Sequence, residues 1–424
     1  MAQSSRRFFV HNLASALLAG SWSKRALKRR ATEACAEAFA PAIRRIVQAV
    51  WSEYSTAPPS FHALVALLVS REPWIDRPLP VRRVFVLPSA MIPRWNTPKI
   101  ATVGQLAEWL ALPIPELEWL ADRKCTTTRQ TAARLRHYVH RFIPRRRGLP
   151  RLLEIPKAQL KQIQRRILRE ILDPIPLHDA AHGFRRDRSV RTYALPHVAK
   201  NIVLRFDLRD FFPSVSAKRI ASIFRIAGYP DSVARLLAGL CTTRIPEDVW
   251  GEQPHLLRLQ FSHLPQGAPT SPALANLAAN RLDVRLHALA QSLGASYTRY
   301  ADDLAFSGDE RLARSARRFQ VLVAVIAASE GFELNFRKSR FMRSSVRQHL
   351  AGVVVNAKPN LRRDSWDELK AIFFNCVRHG PSSQNRRQLS DFRGHLLGRI
   401  AHVGQLNPSR GAKLRALFDR IAWT

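Results

Sequence analysis

The sequence has 424 residues, of which 46% are hydrophobic and 24% charged, so it excludes a disordered chain and can bury the cores of two or three domains. Lysine and arginine outnumber aspartate and glutamate by 68 to 32, and the formal charge of +36 favours a polyanionic partner, nucleic acid first, over the arginine bias of a GC-rich genome. The 4 cysteines are far apart and no apolar run reaches about 20 residues, which argues against a disulfide framework, a zinc site and a membrane span.

The N-terminal residues 1–98 are predicted to form a basic helical region that ends in a proline-rich linker. Apolar residues at helical spacing indicate two buried faces before residue 55, and they are Leu13, Leu17, Leu18, Phe39, Ile43, Ile46, Val47 and Val50. Repeated prolines over residues 56–98 are typical of a segment that links or wraps.

Residues 99–133 are predicted to form a small helical segment. Thr102 can cap a helix over Val103–Leu110, and a second helix is predicted over Ile114–Ala121, with Pro115 in its first turn. From about residue 134 the pattern changes to alternating strands and helices, which indicates a second structural class.

That alternating region opens with a basic hairpin, followed by a basic helix predicted over Leu160–Leu172. The charged residues of the hairpin are Arg145, Arg146, Arg147, Arg151 and Lys157. Their guanidinium and ammonium groups can hold the oxygens of a triphosphate or of RNA phosphates. For any single residue the alternative is an ordinary solvated charge.

A short apolar run rich in β-branched residues, beginning at Ile202, is typical of a buried strand and delivers Asp207 at its end. A buried aspartate is costly unless it binds a metal ion or a partner. Asp207 could equally cap a helix that starts before Phe211. This segment alone is compatible with both interpretations.

Farther along the chain, Ser296–Ser307 reads as two short strands around an Ala-Asp-Asp turn, which predicts a β-hairpin with Asp302 and Asp303 at its tip. Adjacent aspartates at a hairpin tip are often only turn residues. Together with Asp207, however, they would form a cage of hard oxygen ligands of the kind that Mg²⁺ prefers. Two Mg²⁺ ions about 4 Å apart can stabilise both the attacking and the leaving oxygen of a phosphoryl transfer.

Between these segments, LPQGAPTSP forms a loop whose prolines and glycine predict a fixed turn. A helix with an apolar face follows, with Ser271 as its candidate cap and Pro272 in its first turn. The loop could present Gln266 and Gly267 to a nucleotide and a template base, although an ordinary turn before a core helix is the alternative. Phe212, five residues after Asp207, could exclude the 2′-hydroxyl that separates ribose from deoxyribose.

In this order the segments resemble the reverse transcriptases. FDLRDFF is similar to the first palm motif, LPQGAPTSP to the template-grip motif and YADD to the YxDD signature, and the resemblance runs from about Tyr138 to Asn356. IPRRRGLPRLLEIPKAQLKQIQRRIL and AAHGFRRDRSV are similar to segments of the bacterial retron type. The PQGGxxSP of mobile group II intron enzymes and the xPxGxxxSQ of diversity-generating enzymes do not fit.

The resemblance implies an α+β, right-hand polymerase fold. Residues 134–356 would form the fingers and a palm with an antiparallel sheet, residues 357–424 a helical thumb that binds RNA, and the N-terminal helices an extension. The ligands of two Mg²⁺ ions, for which Mn²⁺ could substitute, would be Asp207, Asp302, Asp303 and the backbone carbonyl of Leu208. The nucleotide or template would be bound by Phe212 as a steric gate, Gln266, Gly267, Arg151 and Lys338, and RNA by Arg145, Arg146, Arg147 and Lys157.

The retron resemblance further implies copying of a cognate structured noncoding RNA from deoxynucleoside triphosphates, primed by a guanosine 2′-hydroxyl. The product would be branched, RNA-linked single-stranded DNA, typically within an antiphage system that includes an effector protein. Two departures bear on RNA recognition: a Val-Thr-Gly triplet of the family reads Leu350-Ala351-Gly352, and no NAxxH element separates the first two palm motifs.

Two rival hypotheses remain beside the retron enzyme. One is another bacterial defence or group II intron-like reverse transcriptase with a different template and primer. The other is a noncatalytic RNA-binding scaffold, which predicts a damaged set of aspartates, whereas all three are present. Residues 5–9 resemble a twin-arginine export signal, but the apolar stretch after them is short and interrupted, so we expect a cytoplasmic protein.

Overall fold

The computed structural model describes residues 2–35, 40–56, 58, 60–70, 94–130, 132–144, 149–250 and 254–423. The chain divides into two compact units, one made of Met1–Ile175 with Ser216–Ser271 and the other of Pro176–Val215 with Pro272–Thr424. Most of the predicted proline-rich linker lies outside the described residues, and the division into four sequence segments stays a prediction.

The described helices and strands follow one another in chain order. Their bounds are α1 (Ala2–Leu18), α2 (Lys24–Ala34), α3 (Ala40–Glu53), α4 (Phe61–Ser70), α5 (Val103–Leu110), α6 (Ile114–Ala121), β1 (Tyr138–Ile143), β2 (Arg151–Pro156), α7 (Ala158–Ile167), α8 (Val190–Ala194), β3 (Ile202–Arg209), α9 (Ala217–Ile226), α10 (Asp231–Cys241), α11 (Glu247–Trp250), α12 (Ser271–Ala278), α13 (Asn280–Gln291), β4 (Ser296–Tyr300), β5 (Asp303–Gly308), α14 (Glu310–Ser329), β6 (Glu333–Leu334), β7 (Arg340–Arg343), β8 (His349–Leu350), β9 (Val353–Val354), β10 (Asn360–Leu361), α15 (Arg363–His379), α16 (Phe392–Leu406) and α17 (Pro408–Phe418).

In the first unit, helices α1 to α4 surround a core of their own. The predicted apolar faces are confirmed, because Leu18 packs against this core and the other side chains lie in it, namely Leu13, Leu17, Ile43, Ile46, Val47 and Val50. Phe39 lies outside the described residues. Arg30 is fully buried and donates to the carbonyls of Ala16 and Leu17, in the last turn of α1, and of Ser21, just after it.

Helices α5 and α6 have the bounds that the sequence predicted. The Thr102 hydroxyl accepts a hydrogen bond from the Gln105 amide, which confirms the predicted cap. The basic helix expected over Leu160–Leu172 is confirmed as α7, followed by a π-helical turn over Leu168–Leu172.

Strands β1 and β2 form the predicted hairpin. They pair antiparallel from Tyr138 opposite Pro156 to Ile143 opposite Arg151. The tip, residues 145–148, lies outside the described residues, and with it Arg145, Arg146 and Arg147. The structure therefore describes only the Arg151 and Lys157 end of the basic hairpin.

The second unit is built around a five-stranded sheet with β3 at its centre. β3 pairs antiparallel with β5, β6 and β7, and β4 extends the sheet beyond β5. Ile202, Val203, Leu204 and Phe206 are buried, as expected of a central strand. Asp207 lies within β3, so the alternative that it caps a helix before Phe211 is wrong.

The C-terminal part of the second unit is helical, as predicted. Helices α15, α16 and α17 enclose a cluster that includes Leu369, Phe373, Leu396, Leu414 and Phe418. The short strands β8, β9 and β10 form a separate sheet before them. No described helix is both long and apolar enough to span a bilayer.

Candidate active site

The pairing of β3 with β5 brings the three predicted aspartates together in the second unit. Asp207 and Asp303 lie directly opposite each other on neighbouring strands. Asp302 occupies the turn between β4 and β5, and its carbonyl accepts a hydrogen bond of 2.8 Å from the Leu208 amide. Ala301, at the start of this turn, has a left-handed φ of 56°. Two segments about 95 residues apart in the sequence thus converge at the same end of strands β3 and β5.

Two of the three carboxylates have cationic partners. Arg205 Nη2 lies 2.7 and 2.8 Å from the two carboxylate oxygens of Asp303, and its Nε lies 3.0 Å from one of them. Lys338 Nζ donates to Asp207 Oδ2 at 2.8 Å. Lys338 was predicted to bind the nucleotide or template, whereas no sequence pattern pointed to Arg205.

Asp302 carries negative charge in surroundings that do not favour it. Burial raises the pKa of its carboxyl, and repulsion from Asp207 and Asp303 raises it further, against a smaller opposing effect of Lys338. Burial also raises the pKa of Asp303 in spite of Arg205. Hard oxygen donors with excess negative charge fit a divalent cation. Among the described residues, however, no three His, Cys, Asp or Glu side chains form a ready-made metal cage.

Beneath the Asp302 turn lies a buried polar cluster that sequence reasoning missed. Arg299 is fully buried and donates to the two carboxylate oxygens of Asp283 at 2.7 and 2.6 Å. It also donates to Asn276 Oδ1 at 2.8 Å and to the Ala301 carbonyl at 3.0 Å. Tyr297 donates to Asp283 at 2.8 Å. One feature of the sequence could have indicated this cluster: Asp283 is a charged residue on the apolar side of an amphipathic helix, α13.

The segment before Gly183 packs against the same turn. The His182 amide donates to the Arg299 carbonyl at 2.8 Å, and the Arg299 amide donates to the Ala180 carbonyl at 2.7 Å. The Gly183 carbonyl accepts from Asn276 Nδ2 at 2.8 Å. A Cβ on Gly183 would lie 2.5 Å from the Ala301 nitrogen, so only glycine allows this approach.

Phe212, the predicted steric gate, lies three residues after β3 and is half-buried. Its ring centroid lies 5.7 Å from that of Phe211 and 6.0 Å from that of Phe184. Phe211 is buried, and the guanidinium carbon of Arg299 lies 5.6 Å from its ring centroid. Phe212 therefore lies between two aromatic neighbours in the chain of ring contacts, and one of them, Phe211, contacts the cluster below the turn.

The remaining predicted site residues belong to the first unit. The Gln266 carbonyl accepts a hydrogen bond of 2.8 Å from the Glu154 amide, which joins the LPQGAPTSP loop to β2. Arg151 is exposed at the start of β2. Lys157 Nζ donates to two backbone carbonyls, at 3.0 and 2.8 Å. The predicted Ser271 cap is wrong, because Ser271 is the first residue of α12 and its hydroxyl has no partner among the described residues.

A buried ion pair that the sequence did not reveal holds this loop. His263 Nε2 lies 3.0 Å from Glu154 Oε2, and both side chains are 1% exposed. Burial lowers the pKa of His263, but the attraction and hydrogen bond of Glu154 outweigh it, so the net pKa is raised. The Gln266 amide lies 3.4 Å from the same Glu154 oxygen. Because Glu154 and His263 are 109 positions apart, no local pattern could indicate the pair.

Comparison with known proteins decides the family. A family model described as "Reverse transcriptase (RNA-dependent DNA polymerase)" matches residues 143–359, which is more than half of the chain. The chain belongs to the reverse transcriptase family. The match confirms the α+β polymerase fold that the motifs predicted, and the matched range contains the predicted site residues.

Curated relatives narrow this assignment to the bacterial retron-type reverse transcriptases, as predicted. The Retron Mx65 reverse transcriptase of Myxococcus xanthus is 41% identical over 66% of this chain and 64% of its own length. The Retron Mx162 reverse transcriptase of the same organism is 36% identical over 75% of this chain and 67% of its own length. The Retron Ec86 reverse transcriptase of Escherichia coli is 32% identical over 51% of this chain and 62% of its own length. The chain thus spans about two thirds of the length of the curated relatives it matches.

Proposed function

We propose that this chain is an RNA-directed DNA polymerase of retron type that acts in the cytoplasm. The observation that carries the proposal is the convergence of Asp207, Asp302 and Asp303 at the same end of strands β3 and β5, next to Lys338. Carboxylates beside a lysine suit a reaction in which both a metal ion and an anionic triphosphate must be held. Membership of the reverse transcriptase family makes nucleotide addition the chemistry that this arrangement supports best.

Asp207, Asp302, Asp303 and the Leu208 carbonyl would hold two Mg²⁺ ions, and Mn²⁺ could substitute. When bound, the ions stabilise negative charge on the attacking 3′-oxygen and on the leaving pyrophosphate. Arg205 keeps Asp303 in a fixed orientation by its two-pronged contact. The two YADD aspartates thus have different surroundings: Asp303 is braced by a guanidinium, and Asp302 presents charge that a cation would compensate.

The other predicted residues would bind the nucleotide and the RNA. The Lys338 side chain is 56% exposed and can exchange its contact with Asp207 for one with a phosphate. Phe212 would exclude the ribose 2′-hydroxyl. Gln266 and Gly267 would contact the template or the incoming nucleotide, with Arg151 on the triphosphate. The RNA-binding hairpin residues would be Arg145, Arg146, Arg147 and Lys157.

The preferred template is a cognate structured noncoding RNA, which the helical segment 357–424 would help to hold as a thumb. Residues 134–356 would supply the fingers and palm. The charge of +36 is suited to such a partner. Synthesis from deoxynucleoside triphosphates would start at a guanosine 2′-hydroxyl and yield branched, RNA-linked single-stranded DNA. The N-terminal regions 1–98 and 99–133 are available to contact RNA or the effector protein of an antiphage system.

The test is expression of the gene with its flanking DNA in a bacterial host, followed by extraction of nucleic acid. We expect a short single-stranded DNA joined to RNA in the wild type and none with Asp302→Asn plus Asp303→Asn. Asp231→Asn, which alters a surface ion pair in the first unit, is the control and should keep the product. RNA binding should survive the Asp302 and Asp303 changes.

Other results would select the rival hypotheses. If no branched species forms, but purified protein copies a primed RNA with Mg²⁺, the enzyme is a defence or group II intron-like reverse transcriptase with another template and primer. If the protein binds RNA and makes no DNA under either condition, it is an RNA-binding scaffold and the polymerase proposal is wrong.

A further inference from the structure

Phe184 combines an exposed aromatic ring with a strained backbone. Its φ is +58°, and the residue is 51% exposed. A bulky residue rarely adopts a left-handed conformation, because its Cβ crowds the backbone. Such strain persists only where the surrounding structure imposes it, and it is concentrated at functional sites. An ordinary surface phenylalanine has no need of such a backbone.

The residues before Phe184 impose this conformation. Ala181 bridges to Arg299 in β4, and Gly183 is held by Asn276 through its carbonyl. Gly183 also lies against Ala301, too close for any Cβ. Residues 180–183 are buried, and exposure begins at Phe184. The Phe184 side chain therefore starts from a backbone that is fastened to the turn carrying Asp302.

The ring of Phe184 lies against the predicted sugar gate. Its centroid is 6.0 Å from that of Phe212, at an interplanar angle of 37°. The centroid of the buried Phe211 ring lies 5.7 Å from that of Phe212. Phe212 therefore has one buried and one exposed ring as neighbours. Phe211 lies against Arg299, and the backbone just before Phe184 is held by Asn276, so both neighbours are linked to the same polar cluster.

We propose that Phe184 is a positioning residue for sugar selection: it restrains the Phe212 ring so that Phe212 excludes the 2′-hydroxyl of a ribonucleotide. This inference rests on the proposed polymerase function and on Phe212 as the gate. The strain at Phe184 has a reason in this arrangement, since the left-handed backbone sets the ring against Phe212. Removing the ring would let Phe212 move aside and admit ribose.

The test uses purified full-length protein on a primed RNA template. The measured quantity is kcat/KM for a ribonucleotide divided by kcat/KM for the matching deoxynucleotide. We expect Phe184→Ala and Phe184→Gly to raise this ratio roughly tenfold, as expected when a pocket loses part of its wall. The glycine variant also relieves the strain, so it separates loss of the ring from backbone distortion. Phe8→Ala removes a ring with 52% exposure in α1 and should leave the ratio unchanged.

Phe212→Ala completes the design. If Phe184 acts through Phe212, the double variant Phe184→Ala plus Phe212→Ala should be no less selective than Phe212→Ala alone. A changed ratio in Phe212→Ala with unchanged ratios in both Phe184 variants would overturn the inference and leave the proposed function intact. An equal loss of kcat/KM for the ribonucleotide and the deoxynucleotide would also overturn the inference, because Phe184 would then have only a structural role. If Phe212→Ala leaves the ratio unchanged, Phe212 is not the gate and the inference is wrong. If the wild-type protein is inactive, the proposed polymerase function is wrong.

Discussion

Arg205 contacts both carboxylate oxygens of Asp303 across the β3–β5 pair: its Nη2 lies 2.7 and 2.8 Å from them. The Asp303 side chain is 15% exposed and that of Arg205 26% exposed, so the pair is partly shielded from water. A planar guanidinium orients a carboxylate in a way that a lysine ammonium does not. Arg205 is therefore suited to set the direction of one of the two YADD aspartates.

Arg205→Met should lower DNA synthesis by roughly 100-fold, because it would displace Asp303, a proposed metal ligand, and even a small displacement of such a group is costly. Arg205→Lys should lower the rate of DNA synthesis less, since lysine keeps the positive charge. The measurement is primer extension by purified protein under single-turnover conditions. Arg225→Met, which breaks an exposed ion pair with Asp231, is the control.

The two residues should also behave as one unit in a double-mutant cycle. Asp303→Asn combined with Arg205→Met should be no slower than Asp303→Asn alone. If the fold-losses in rate of the two single variants multiply in the double variant, Arg205 acts independently of Asp303.

Gly267→Ala should destabilise the first unit. Gly267 has a φ of +134°, and a Cβ there would lie 3.0 Å from the Glu154 carbonyl oxygen. We expect a loss of about 1–3 kcal/mol in the free energy of unfolding and a higher KM for the deoxynucleotide, because Gln266 would shift. Gly398→Ala, in α16 with open space around its Cβ, is the matched control and should be neutral or stabilising. Equal melting temperatures for Gly267→Ala and wild type would contradict this account.

The Glu154–His263 pair predicts a pH dependence of stability. The pKa of folded His263 is raised above its ordinary value of 6.5. Its contribution is therefore fully present below pH 6.5 and is lost as the pH rises through the folded pKa. The melting temperature of the wild type should fall more between about pH 6 and about pH 9 than that of His263→Gln. His379→Gln, at the exposed end of α15, should follow the wild type; identical pH profiles for all three proteins would rule out the pair as the cause.

RNA binding should weaken steeply with salt. A protein with a formal charge of +36 neutralises many phosphates and releases their counterions. The dissociation constant should rise roughly 1000-fold between about 50 and about 200 mM monovalent salt. Thermal unfolding at each salt concentration checks that the protein stays folded. A flat response would mean that charge contributes little to RNA affinity.

Sequence patterns were sufficient wherever the determinant was local. The Thr102 cap, the bounds of α5 and α6, the burial of β3 and the hairpin at Asp302 follow from short-range propensity and alternation. The interpretation failed at Ser271, where a hydroxyl suited to capping lies inside the first helical turn. Local chemistry did not decide there, because the loop before α12 is arranged by partners elsewhere in the chain.

By itself the sequence determined that three aspartates, a proline-glycine loop and a basic surface belong to one polymerase family, since these features are written in contiguous residues. Only the tertiary structure decided which charges meet. Arg205 finds Asp303 98 positions away, and Glu154 finds His263 109 positions away. Strand register and burial select such pairs, and burial makes them strong by removing the water that would otherwise screen them.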